Sequence, residues 1–128
     1  MKKIASESAP KAIGPYSQAV AVPHDAQLIF VSGQLPVDPK TGKIVEGDIQ
    51  TLTMRVIDNI EAILKASGSS LGKVIRTDVF LIDLKEFVKV NEIYGQRFNG
   101  AVLPARQTIQ VAALPLGVPI EISCIAMI

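Results

Sequence analysis

Two strand-like stretches near the end of this 128-residue chain constrain its fold more than any other feature. Residues 104–115 are largely apolar but open on Arg106, and residues 119–123 set one carboxylate, Glu121, between two isoleucines. Ionised groups in strands this apolar are costly to bury unless they are paired or bound to something. Arg106 and Glu121 are therefore either a structural ion pair or the polar part of a ligand site.

The rest of the chain alternates strand and helix signals. Residues 17–22 and 27–32 have strand character and are joined by a turn at residues 23–26. Residues 38–42 form a second turn, with Pro39 and Gly42 supplying its dihedrals. From residue 48 to 67 the period becomes helical, and Leu52, Val56, Ile60, Ile63 and Leu64 fall on one stripe. Asp48 is a suitable N-cap, and Gly68 stops the helix. Residues 73–82 alternate as a strand, with Ile75, Thr77, Val79 and Leu81 on one face. Residues 83–86 have capping-box spacing. The helix that follows runs to about Phe98 and buries Leu84, Phe87, Val88, Ile93 and Tyr94. Two strands, 106–114 and 118–127, complete a ββαβαββ order, which predicts an α+β sandwich over residues 1–128 as a single domain.

Side-chain alternation assigns faces to the last two strands. Ile109, Val111 and Ala113 are expected to face the helices, as are Val118, Ile120, Ile122, Cys124 and Ala126. Arg106, Thr108, Gln110 and Glu121 are then expected on the face without helices. In a plain hairpin Ala112 would lie beside Glu121, leaving Arg106 about six residues, or roughly 20 Å, away. One pocket using both groups needs another strand order or a second subunit.

Composition narrows the function. With 13 basic and 12 acidic side chains, the chain lacks the surplus that nucleic acid or an anionic membrane demands. Tryptophan is absent and aromatics make up 5%, so base-stacking platforms are not expected. A single cysteine, Cys124, and a single histidine, His24, exclude an internal disulfide and leave no usual zinc ligand set. Cys124 is expected as a small buried hydrophobe and His24 as a surface turn residue. No apolar run reaches membrane-spanning length, and residues 1–7 have no apolar signal-peptide core. A cytoplasmic protein is the simplest expectation. At 48% hydrophobic, with mean hydropathy +0.35, the chain is apolar for a small monomer, which points to an oligomer hiding a second apolar face.

Further motifs join Arg106 and Glu121. Residues 12–19, Ala-Ile-Gly-Pro-Tyr-Ser-Gln-Ala, deliver Tyr16 at a strand start after a glycine-proline turn. Residues 31–36, Val-Ser-Gly-Gln-Leu-Pro, end a strand at Ser32 and Gly33. Residues 90–94 place Asn91 within the second helix. With Pro-Ala-Arg-Gln-Thr at 104–108 and Ile-Glu-Ile at 120–122, these motifs resemble the RidA (YjgF) family along nearly the whole chain.

The resemblance implies a chorismate-mutase-like fold, with one mixed sheet and two helices on one face, packed as a homotrimer with clefts between subunits. It implies a deaminase that hydrolyses 2-imino acids and enamines, such as 2-iminobutanoate and 2-iminopropanoate, to 2-oxo acids and ammonia. These intermediates are released by pyridoxal-phosphate enzymes. Arg106 would grip the substrate carboxylate and Glu121 would position or activate water. Tyr16, Ser32, Gly33, Asn91 and Thr108 would line the cleft. No cofactor, metal, nucleic acid or membrane is implied. The residue types suit that chemistry: a planar guanidinium matches a carboxylate, and one glutamate both orients water and takes its proton. Thr108 stands where many relatives have cysteine. A non-enzymatic regulatory trimer that binds a small carboxylate would use the same residues.

Overall fold

The computed structural model describes all 128 residues. Strand β1, Lys2–Ile4, pairs antiparallel with β2, Ala19–Ala21, as a small ribbon. The main sheet holds β3, Leu28–Gln34; β4, Val74–Leu81; β5, Ala105–Gln110; and β6, Ile120–Met127, in the order β3-β6-β4-β5. The β4–β5 pair is parallel and the others are antiparallel, so the sheet is mixed as expected. Helices α1, Ile49–Ala66, and α2, Phe87–Arg97, pack on one face of it.

Each helix has a local cause. The Asp48 carboxylate accepts from Thr51 N at 2.9 Å and from Thr51 Oγ1 at 2.8 Å, which satisfies the start of α1. Gly68 ends it with φ +77°, a conformation costly for other residues. The α1 stripe is wider than the predicted one: Ile49, Thr53 and Ile57 are buried beside Leu52, Val56, Ile60 and Leu64. Ile57, Ile60 and Leu64 are fully enclosed, each contributing roughly 1.5–3 kcal/mol of burial. The polar Thr53 is tolerated there because its hydroxyl donates to Ile49 O at 2.6 Å.

Other expectations need correction. The strands read at residues 17–22 and 27–32 are shorter or shifted, at 19–21 and 28–34, and do not pair with each other: β2 pairs with β1, and β3 with β6. The predicted capping box is not formed. Asp83 accepts from Lys85 N at 2.9 Å, residues 84–86 make a 3-10 turn, and α2 begins only at Phe87. The helical phase therefore moves. Val90, Ile93, Tyr94 and Phe98 are buried, whereas Leu84 and Val88 are exposed. In β4 a register slip between Val74 and Arg76 buries Val74 in place of Ile75.

The largest correction concerns β5, which lies beside β4 and not beside β6. Parallel register aligns Arg106 with Thr77, Thr108 with Val79 and Gln110 with Leu81. Thr77, Val79 and Leu81 are buried under the helices, so Arg106, Thr108 and Gln110 share the helix face. Ile109 aligns with Phe80 on the open face. That face also carries Glu121, level with Phe80, and Phe30, which is 73% exposed. Leu28 and Ile109 are exposed there as well. No helix is long and apolar enough to cross a membrane.

Cys124 lies on the helix face, as the sequence predicts, level with Thr77 and Val31. Burial pushes its thiol pKa up to about 12. A thiol reagent at pH 8 is therefore expected to leave the folded protein unlabelled and to modify one thiol per chain after denaturation. Rapid labelling of the folded protein would contradict this placement.

Candidate active site

Arg106 sits near the start of edge strand β5, beneath α2. Its guanidinium carbon lies 4.7 Å from the Tyr94 ring centroid, 5.3 Å from that of Tyr16 and 5.5 Å from that of Phe87. Such contacts each contribute roughly 0.5–2 kcal/mol to holding a cation. Nη1 donates to Asn91 Oδ1 at 2.5 Å. No carboxylate lies within salt-bridge distance, whereas Arg76 and Arg97 both have acidic partners. Desolvation draws the Arg106 pKa below the usual arginine value, opposed by Tyr94 and then Tyr16. A half-buried guanidinium with one neutral acceptor is poised to take an anion bidentately. A cavity of about 200 Å³ opens beside it, next to Tyr16 and Gln107.

Local structure fixes this arrangement. Tyr16 N donates to Gly14 O at 2.8 Å, closing the glycine-proline turn. Ser17 then ties the turn to the segment entering β5: its Oγ donates to Leu103 O at 2.6 Å and its N to Pro104 O at 3.0 Å. A Cβ on Gly14 would come within 3.3 Å of Arg106 Nη2, so the glycine gives the guanidinium room. Thr77 and Tyr94 share a hydrogen bond of 2.7 Å under the cation. Burial raises the Tyr94 pKa to about 12, which keeps the phenol neutral. Thr108, one step along the same face, has a buried Oγ1 without a hydrogen-bond partner in the chain.

A second group lies elsewhere. The β3–β6 register slips between Val31 and Gln34, leaving Ser32 and Gly33 as a bulge opposite Ser123. A Cβ on Gly33 would sit 2.7 Å from the Glu121 carboxyl, so any larger residue there would push that carboxyl aside. Glu121 belongs to none of the chain's ion pairs.

The predicted residues thus form two clusters. Tyr16, Asn91 and Arg106 come together, with Thr108 next in line; Ser32, Gly33 and Glu121 come together apart from them. Through Thr77, Arg106 is level with Cys124 on β6, three residues from Glu121. That is roughly 10 Å along the strands and roughly 10 Å across two strand spacings, on the opposite face. Within one chain Arg106 and Glu121 neither pair nor share a pocket.

The aromatic walls Phe87 and Tyr94 were assigned by sequence only to the core stripe. Their signal was available: Phe87, Asn91 and Tyr94 have i, i+4, i+7 spacing, which puts all three on one helix face. No three histidine, cysteine or carboxylate side chains converge as metal ligands.

A mixed four-stranded sheet with two helices on one face is the chorismate-mutase-like α+β arrangement. A family profile described as Endoribonuclease L-PSP matches residues 6–128. Protein DfrA of Myxococcus xanthus is 52% identical over 127 residues, covering 98% of this chain and 95% of its own. The 2-iminobutanoate/2-iminopropanoate deaminase of Salmonella typhimurium is 43% identical over 128 residues, covering 98% and 97%. The crystal structure of E. coli TdcF with bound serine is 42% identical and superposes with a TM-score of 0.76, covering 100% and 99%. The chain belongs to the RidA (YjgF) family.

Proposed function

We propose that this protein is an imine/enamine deaminase, hydrolysing 2-imino acids to 2-oxo acids and ammonia in clefts completed by a second copy of the chain in a homotrimer. The observation that carries this reading is the caged guanidinium of Arg106, which has one neutral acceptor and no carboxylate. A relative of 43% identity bears the name of this deaminase, and a related structure holds an amino acid, serine.

Arg106 grips the substrate carboxylate in a two-pronged contact, with Asn91 holding the fork and Tyr16 and Phe87 flanking the bound acid. Glu121 takes a proton from water as the oxygen attacks the imine carbon. Glu121 passes that proton to nitrogen to give the carbinolamine, then takes the hydroxyl proton and delivers it to the amino group as the C–N bond breaks, so that ammonia leaves and the C=N bond is replaced by C=O. Overall, one imino acid and one water give one 2-oxo acid and one ammonia. Backbone groups at Ser32 and Gly33 and the hydroxyl of Thr108 complete the lining. Preorganisation of this kind suits an electrophilic imine, which needs orientation more than activation.

The separation of the two clusters supports the oligomer. They lie toward opposite edges and on opposite faces, so a neighbour whose β5 edge meets the β3 edge of this chain brings them together. The exposed Phe30, Leu28 and Ile109 supply an apolar surface for that packing. Subunit mixing tests this directly. At substrate concentrations below KM, Arg106→Ala and Glu121→Gln homotrimers are each expected to be nearly inactive on 2-iminobutanoate generated by a threonine dehydratase. Unfolding and refolding them together at equal amounts should restore about a quarter of wild-type turnover, because random assembly gives one cleft in four both intact residues. Persistent inactivity of a folded mixture would place both residues in the same subunit's contribution and refute the shared cleft.

A further inference from the structure

Asn59 lies on α1, outside both clusters, yet every hydrogen-bonding valence of its amide is used. Nδ2 donates to Leu35 O at 3.1 Å and to Val37 O at 2.9 Å. Oδ1 accepts from Arg55 Nε at 3.1 Å and from Arg55 Nη2 at 2.9 Å. The two carbonyls belong to the segment that leaves β3 immediately after Gly33 and Gln34. Beyond Asn59, that segment and the residue after it are held by two bonds to the returning chain, Val45 N to Pro36 O and Asp38 N to Lys43 O, both at 2.9 Å. Val37 N turns back onto Leu35 O at 2.8 Å, and Val37 makes only an isolated bridge to Ile44. On the other side of Gly33, the bulge leaves Ser32 and Gly33 outside the β6 register. The Ser32–Gly33 bulge thus lies between Val31 and Gln34, which both pair with β6, and the Leu35–Val37 segment that follows Gln34 directly is tied to α1 by Asn59.

We propose that Asn59 is a positioning residue, which fixes the Ser32–Gly33 backbone against the Glu121 carboxylate. Gly33 approaches that carboxyl so closely that a Cβ would overlap it at 2.7 Å. A shift of the loop by a fraction of an ångström therefore changes where Glu121 points. Arg55 fixes the amide's orientation: with its oxygen occupied by the guanidinium, only the NH2 group is left to face the two carbonyls. A cavity of about 430 Å³ between α1 and this segment, lined by Arg55, Asn59, Leu35 and Val37, leaves the loop room to move once the amide is removed.

The inference deepens the deaminase reading and rests on it for its kinetic consequence. In Asn59→Ala, kcat for 2-iminobutanoate is expected to fall ~10- to 100-fold, the scale for sub-ångström to ångström misplacement from outside the reacting groups. The Kd of 2-oxobutanoate should change less than about threefold, because Arg106 and Asn91 are held by other elements. The amide resonances of Ser32, Gly33 and Gln34 should move, while those of Tyr16, Asn91 and Thr108 stay. If Asn59→Ala does not fold, Asn59→Ser, which keeps one donor, is measured in the same way. Unmoved resonances at residues 32–34, or an unchanged kcat, overturn the proposal. A wild type without turnover overturns the deaminase reading alone, and the resonances then decide the positioning role.

Discussion

Replacing Arg106 with alanine is expected to lower kcat/KM for 2-iminobutanoate by ~30- to 5,000-fold, corresponding to about 2–5 kcal/mol for truncating one partner of a desolvated charge pair. Most of the loss should appear in KM. The substrate carboxylate is gripped before and during water attack alike, so the contact stabilises ground state and transition state together. Arg106→Lys should recover only a small part, since an ammonium supplies the charge without the planar fork that Asn91 orients. The free protein should tolerate the alanine well. Removing the guanidinium forfeits its contacts with Tyr16, Phe87 and Tyr94, but also removes a desolvated cation without a carboxylate partner. The melting temperature is expected to move by only a few degrees. Steady-state kinetics with a coupled dehydratase, beside thermal melts, check both halves. A kcat/KM within threefold of wild type would remove Arg106 from substrate binding.

Much of the fold is legible in the sequence because its local signals agree. The α1 stripe, the Asp48 cap and the Gly68 stop all point to one helix, and that helix is present. The alternation of β6 correctly separates Ile120, Ile122 and Cys124 from Glu121, because small and branched apolar residues occupy every helix-facing position. The same reasoning misplaces β5. Hydrophobicity alone puts Ile109 inward and Arg106 outward, but the sheet is apolar on both faces, through Phe30, Phe80 and Ile109 on the open side. Where both faces carry apolar side chains, period-two alternation identifies two sets without saying which one the helices cover. The strand order decides, and it depends on β4 inserting between β5 and β6, a long-range pairing with no local signature.

The geometry around the candidate residues was not legible in the sequence for the same reason. Tyr16, Asn91 and Arg106 come from three separate segments, and the turn at Gly14 and the Ser17 ties bring them together. The estimate that Arg106 and Glu121 lie far apart in a simple hairpin already required another strand order or another subunit. The observed order changes the path between them and leaves them on opposite faces. The shared cleft proposed for them therefore needs two copies of the chain to meet.

Glu121→Gln isolates the chemical step, because it preserves size and most of the contact with the Gly33 backbone while removing the proton acceptor. Turnover of 2-iminobutanoate is expected to fall ~10²- to 10⁴-fold, the range for loss of a positioned general base. Binding of 2-oxobutanoate should stay within about threefold of wild type, since the carboxylate grip belongs to Arg106 and Asn91. The change should thus appear in kcat, the signature of a group that acts on the transition state and leaves ground-state binding alone. Gly33 explains why the substitution is informative. The carboxyl occupies the space that a Cβ on Gly33 would fill, and the isosteric amide fits the same space. Rapid-mixing turnover and ligand titration on the same preparation distinguish the outcomes. Lost turnover with retained binding assigns the proton transfer to Glu121. Unchanged turnover removes Glu121 from the chemistry. A wild type that binds 2-oxobutanoate through Arg106 but accelerates no hydrolysis, with Glu121→Gln indistinguishable from it, makes the protein a carboxylate-responsive regulator built on the same cleft.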